Sequence, residues 1–306
     1  LDKEGQYVSP RTLKRWEAVE SWTEKLLGQG HKLIDCSTDL LKYGNYPNIP
    51  QAKYLLNLSL GQFLWDSLTV TGIIEAQGQA LAEVTAPDFQ RIIVDDISET
   101  ATGHMNFGLF IAHGFDEGGD PDSKKGAHDQ MWFAARDLLF GKNAFSEPEV
   151  PKSLARPQDT WEMPQIPIEY EGIISLLMNV LMIEIRAESF FSYSMELASS
   201  PDVFKSNRVN ANLAAEMISR IKKDEAIHVA YLTVIISELR TFTFKVEGKE
   251  ILGAEFIDPI WNKMVTWHGK TNIEESKVVS IANFESLLLK NQTSRTRVKE
   301  FHSLAD

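Results

Sequence analysis

Two long helical stretches, 169–199 and 207–242, constrain this chain more than any other feature. Only Ser200-Pro201-Asp202 and a few residues after it separate them, and so short a connection forces two helices to fold back as antiparallel neighbours. A second pair of apolar-periodic stretches, 51–83 and 87–113, turns at Thr85-Ala86-Pro87-Asp88, where proline cannot continue the preceding helix. Between the pairs lie an acidic, glycine-rich stretch 114–125, a short helical stretch 127–140 and a proline-rich segment 141–167 with little periodicity. Two hairpins joined by one long crossover make an all-α chain with four-helix-bundle topology.

The rest of the chain extends that core. Ser9-Pro10 has the form of an N-cap followed by proline at the first helical position, and opens helices over 9–42, interrupted at Gly28 and Gly30. Tyr43 to Pro50 reads as a loop. Helices near 259–267 and 281–290, within a C-terminal extension 255–303, follow a strand-like piece 242–246 that pairs with 250–252 across Gly248. The whole, 1–306, reads as a single helical domain.

Net charge is -12, which disfavours nucleic acid or an anionic membrane as the main partner. The one cysteine, Cys36, excludes disulfide, zinc-cysteine and cysteine-ligated cluster frameworks within one chain and suits a reducing cytoplasm. The first residues carry no signal-peptide apolar region, and the most apolar run, 172–183, contains Asn179 and is too short to span a bilayer. A cytoplasmic location is expected.

Chemistry enters at Asp224-Glu225-Ala226-Ile227-His228. Residues three apart on a helix lie about 60° apart, so Glu225 and His228 can reach one metal ion. The apolar run Val229 to Ile236 follows, and a charged pair beside a buried segment needs a partner. Across the hairpin, with the turn centred at Ser206, Glu188 is 18 residues before it and Glu225 is 19 after it, so the two are level. Glu184, one turn earlier on the same face, either joins them or pairs with a neighbouring arginine.

With Pro87 as the other turn, Glu75 and Glu99 are each 12 residues away and again level. A second Glu-x-x-His would need histidine at 102, where Thr102 stands; His104 is about 140° round from Glu99. Either a π-bulge near Gly103 rotates His104 back onto the face, or Asp96 and Glu99 act as a carboxylate pair that His104 joins from Asp96. His113 reads as a helix-ending cation, and His128, His31, His268 and His302 lack carboxylates at ligand spacing. Asp116, Glu117, Asp120 and Asp122 read as a solvated acidic loop.

Lys223-Asp224-Glu225-Ala226-Ile227-His228 resembles the Asp-Glu-x-x-His signature of the ferritin-like dimetal-carboxylate superfamily, and Ala187-Glu188-Ser189-Phe190-Phe191-Ser192 is similar to a helix of the ribonucleotide reductase small subunit. The resemblance covers these two helices closely and the first hairpin by topology. It implies a ferritin-like bundle with added helices and a dimetal centre, two iron ions with manganese able to replace either, that activates dioxygen. The expected ligands are Glu75, Glu99, His104, Glu188, Glu225 and His228, with Glu184 and Asp96 as lesser candidates. Gly108 and Asn106 occupy the places where a reductase-type radical tyrosine would stand, and no tyrosine lies between Tyr54 and Tyr170. That departure points to an oxygenase or oxidase acting on a small organic substrate, with an electron donor as further partner and a homodimer as the expected assembly. A ferroxidase or iron store, or a scaffold with a degenerate metal site, is the alternative. Phe190, Phe191, Phe107, Phe110, Met182 and Trp132 are candidates to line an apolar substrate pocket.

Overall fold

The computed structural model describes residues 12–41, 45–120, 127–158, 160–289 and 294–305. Ser9-Pro10, Tyr43 and Asp122 lie outside them. The architecture is all-α: α1 (Thr12–Gly28), α2 (Ile49–Asn57), α3 (Gln62–Gly78), α4 (Phe110–Gly118), α5 (His128–Phe140), α6 (Ile168–Ser199), α7 (Arg208–Thr241), α8 (Ala254–Thr266), α9 (Asn272–Leu289) and α10 (Ser294–Ser303). The one sheet among the described residues is a hairpin of β1 (Thr243–Val246) and β2 (Lys249–Leu252), in register Thr243↔Leu252 and Val246↔Lys249. Its two-residue turn puts Glu247 and Gly248 at φ 52° and 80°, the conformation that right-twisted strands demand of a tight connection. No helix among the described residues is long and apolar enough to cross a membrane.

α6 and α7 form the most extensive helix pair, as their unbroken apolar patterns require. α5 packs between α3 and α7, α4 against α3 and the 3₁₀ turn Gln79–Glu83, and α1 and α8 against α7. Two large apolar clusters build most of the core, and a smaller one gathers Leu55, Phe284, Leu288 and Phe301. Of the two large ones, one contains Ile174 to Ile185 of α6 and Ile227 to Leu239 of α7; the other contains Phe191 to Ala198 of α6 and Ala211 to Ile221 of α7. Between them lies a band of buried charge carrying Glu184, Asp224, Glu225 and His228.

Most of the expected helix 87–113 is not there; only its end, from Met105, is helical. Apart from a 3₁₀ turn at Phe89–Arg91, residues 84–104 are irregular, and helical structure resumes in a π-turn at Met105–Leu109 that runs into α4. Side chains that compete for backbone hydrogen bonds explain the difference. Asp88 accepts from Gln90 N and Asp96 from Ser98 N, while the Thr100 hydroxyl donates to the Ile97 carbonyl. Glu238 of α7 then accepts from the Ala101 and Thr102 amides and the Thr102 hydroxyl. Thr102 thus tethers this segment to α7. The expected helix 51–83 is also divided, at Leu58 to Gly61, where Ser59 has φ 61°.

Helix continues instead into the expected loop 114–125, as far as Gly118. Gly114 is a close-packing residue: a Cβ there would lie 2.6 Å from Ala82 N and 2.8 Å from the Gln79 carbonyl oxygen. The contact outweighs the roughly 1 kcal/mol that glycine costs a helix interior, and it holds α4 against the end of α3.

Candidate metal centre

Seven buried side chains from five helices converge in the charged band: Glu75 (α3), His113 and Glu117 (α4), His128 (α5), Glu184 (α6), and Glu225 and His228 (α7). They form two groups whose candidate ligand atoms all lie within 4.8 Å of one another. One group is His113, Glu117, Glu184 and His228; the other is Glu75, Glu117, His128 and Glu225. Glu117 belongs to both.

In the first group His113 Nε2 is 3.1 Å from Glu184 Oε1 and 3.3 Å from Glu117 Oε1. His228 Nδ1 is 3.2 Å from Glu117 Oε1 and 3.7 Å from Glu184 Oε1. The two imidazoles are stacked, ring centres 3.7 Å apart and 12° from parallel. In the second group His128 Nδ1 is 2.8 Å from Glu225 Oε1, 3.6 Å from Glu75 Oε2 and 3.9 Å from Glu117 Oε1. Glu225 joins the two, its other oxygen 2.5 Å from His228 Nδ1.

His228 and His113 are each oriented by a hydrogen-bond partner at the far nitrogen, whereas His128 Nε2 has a carboxylate nearby but makes no hydrogen bond. His228 Nε2 is 3.1 Å from Asp116 Oδ2, which Arg15 of α1 grips at 2.5 Å. His128 Nε2 is 3.5 Å from Asp224 Oδ2. His113 Nδ1 is 2.7 Å from the Tyr231 hydroxyl. Such partners set the tautomer and aim the opposite nitrogen inward, as they do around bound metals. Trp132 donates from Nε1 to Glu75 Oε1 at 3.0 Å, leaving Oε2 for the cluster.

The donor set fits a metal by a direct test. Glu75 Oε2, Glu117 Oε1, Glu225 Oε1 and His128 Nδ1 are buried and make no hydrogen bond. Carboxylate oxygens and an imidazole nitrogen that converge in a protein interior without well-directed hydrogen bonds are costly to bury, and a metal cation placed among them would satisfy them. Electrostatics agree. Burial, reinforced by the charges of Glu225 and Glu75, pushes the Glu117 carboxyl well above its ordinary range; burial and Glu225 do the same to Glu184. Burial and the neighbouring His228 hold His113 well below the usual imidazole value. For His128 and His228 burial acts downward, but Glu225 and the surrounding carboxylates outweigh it and raise both. Burial acts upward on Glu225, and the two imidazoles overcome it.

Of the residues expected from sequence, Glu75, Glu225, His228 and the lesser candidate Glu184 are brought together here. Glu99, His104, Glu188 and Asp96 are not. Glu99 and Asp96 are exposed in the irregular segment. His104 bonds the Thr100 carbonyl through Nδ1 and packs on Trp22. Glu188 is 43% exposed, 3.8 Å from Lys222. The turn between α6 and α7 is the reason. Helix ends at Ser199 and Arg208 centre it at Val203–Phe204, earlier than Ser206, so Glu184 is mirrored near position 223 and Glu188 near 219.

Sequence reasoning placed His113, Glu117 and His128 outside the site, and Asp116 on a solvated loop; all four are buried in it or against it. The spacing His113-x-x-x-Glu117, one helical turn, was the available signal. The aromatic candidates disperse: Phe190 lines a cavity, Phe191, Phe110, Met182 and Trp132 are core, and Phe107 is 82% exposed. Comparison with protein-family models, curated proteins and solved structures finds no match.

Proposed function

We propose that this protein is a ferritin-like dimetal-carboxylate oxygenase or oxidase, holding two iron ions and acting on a small organic substrate. The observation that carries the reading is the pair of ligand groups sharing Glu117, with unbonded donor atoms turned inward. Glu75, Glu117, Glu184 and Glu225 supply four carboxylates, the charge that two divalent ions neutralise, and a carboxylate-imidazole set suits iron or manganese. Ligands arising from facing helices, with Glu225-x-x-His228 on one of them, support a ferritin-like ancestry.

Iron held by these residues would supply one-electron redox chemistry toward dioxygen. The protein's part is to place and insulate that chemistry. Glu117 lies between the two positions. Asp116 and Tyr231 hold His228 and His113 in a fixed orientation, Asp224 places a carboxylate beside His128, and the apolar clusters on either side along α6 and α7 keep bulk water from the band. A cavity that reaches Glu75 gives a substrate access, which an iron store would not need.

The test is reaction of the Fe(II)-loaded protein with dioxygen. Rapid oxygen consumption with a new visible or near-ultraviolet band supports the reading. A loaded protein inert to oxygen excludes an oxygenase, and growth of iron mineral in a large cage assigns storage instead.

A further inference from the structure

The cavity beside Glu75 has a volume of about 570 Å³, within the range of small-ligand sites. α3 contributes Val70, Ile74 and Glu75 to it, and α6 contributes Ile183, Arg186 and Phe190. Pro148 and Leu154 of the crossover also line it. It is largely apolar and touches the candidate metal centre through Glu75.

Arg186 is the one guanidinium on this wall. Arg15, Arg136, Arg156 and Arg240 each have a carboxylate, Asp116, Asp137, Glu162 and Asp258 respectively. Arg186 has none within ion-pair distance among the described residues; its polar contact is His268 Nδ1, at 3.4 Å. Burial, with the charges of Arg186 and Arg156, pushes His268 down to about 3, so it is neutral and offers Arg186 no counter-charge. A half-buried arginine that lines a cavity and has no anion beside it can receive one there.

We propose that the substrate is an organic acid with an apolar body. Its carboxylate is held by the Arg186 fork and its chain lies against Val70, Ile74 and Phe190, in the cavity that Glu75 borders. Asp66, Glu75 and Glu149 also line the cavity and oppose any anion, so at most the single charge that Arg186 can offset is admitted, which disfavours phosphate esters and diacids. The assignment rests on the oxygenase reading for its chemistry but not for its binding. Arg186 is a specificity-determining residue rather than a ligand of the metal.

The test uses octanoate and octan-1-ol as probes, which share a chain and differ in the charged head, with the full chain in calorimetric titrations. Octanoate is expected to bind about tenfold or more tighter than octan-1-ol, as a charge-assisted bidentate pair requires. Arg186→Gln should remove that preference while leaving octan-1-ol binding intact, and Lys277→Gln, at a neighbouring cavity that Arg186 also lines, should leave it unchanged. A wild-type protein that binds octanoate no tighter than octan-1-ol, or not at all, overturns the proposal whether or not the variant folds. So does an Arg186→Gln protein that keeps the preference. Metal content measured on the same samples separates the two readings. Preference without metal leaves Arg186 in place and sinks the oxygenase; bound metal without preference does the reverse.

Discussion

His128 Nδ1 stands 2.8 Å from Glu225 Oε1, yet neither atom makes a hydrogen bond. The imidazole comes from α5 and the carboxylate from α7, so two separate helices deliver groups that stabilise each other's charge without a well-directed hydrogen bond. Glu75 and Glu117 complete the group from α3 and α4. A metal cation bound among them would turn an electrostatic cost into a tie across four helices.

Glu117 is common to both ligand groups, so its removal should affect every bound ion. Metal at about a thousandfold excess over its dissociation constant stabilises a folded protein by about 4 kcal/mol. Wild-type protein should show a corresponding rise in Tm on adding Fe(II) or Mn(II). Glu117→Gln should fold without metal at least as stably as wild type, because it removes a carboxyl that burial and Glu225 disfavour in its charged form. Its metal-induced rise should nearly vanish, which thermal melts with and without metal would show.

Metal uptake should release protons. Glu117, Glu184, His128 and His228 all have raised affinities for protons in the metal-free protein, the carboxyls through burial and both imidazoles through Glu225. Their protonated forms stabilise the metal-free fold in acid, and that contribution is lost as pH rises through the raised values. Glu225, held low, runs the opposite way. Metal must displace the bound protons, so affinity should climb with pH through neutrality and fall in acid. Calorimetric titrations in buffers of different ionisation enthalpy would count the protons, and a pH-independent affinity would contradict this account.

Gly78 lies where α3 meets Glu117. A Cβ there would sit 2.7 Å from Glu117 Cγ and 3.0 Å from its Cβ, so Gly78→Ala must move the shared ligand. Overpacking of this kind costs about 1–3 kcal/mol. Metal affinity should fall more than the stability of the metal-free protein, as parallel melts and metal titrations would reveal.

The residues behind the imidazoles should matter without touching metal. Asp116→Asn weakens the hold on His228, and Tyr231→Phe leaves His113 Nδ1 without its hydroxyl partner. Each should lower metal affinity by about 10- to 100-fold. Competition with a chelator of known affinity would measure it.

The α6–α7 half of this centre was legible in the sequence because those helices run unbroken and their apolar runs leave one charged band between them. The choice of Glu184 over Glu188 was not, since it depends on where the turn is centred. Moving the turn centre by two and a half residues shifts the mirror position by five, more than a full helical turn. The other half was hidden for a different reason. The periodicity of 87–113 suggests a helix, but Asp88, Asp96 and Thr100 satisfy the backbone locally and Glu238 captures Ala101 and Thr102 from a distance. Gly114, which reads as a terminator, is the contact that lets α4 continue and carry His113 and Glu117 inward. Tertiary packing decided both, and no local propensity records it.

The central claim is a two-ion centre built on Glu117 and not on Glu99, His104 or Glu188. Anaerobic Fe(II) titration of the full chain, followed by removal of free metal and iron analysis, tests it most directly. Wild type, Glu99→Gln, His104→Ala and Glu188→Gln should each retain about two ions per chain. His113→Ala should retain about one, and Glu117→Ala few or none. A wild-type chain that holds no iron, or two ions surviving in Glu117→Ala, would contradict the account.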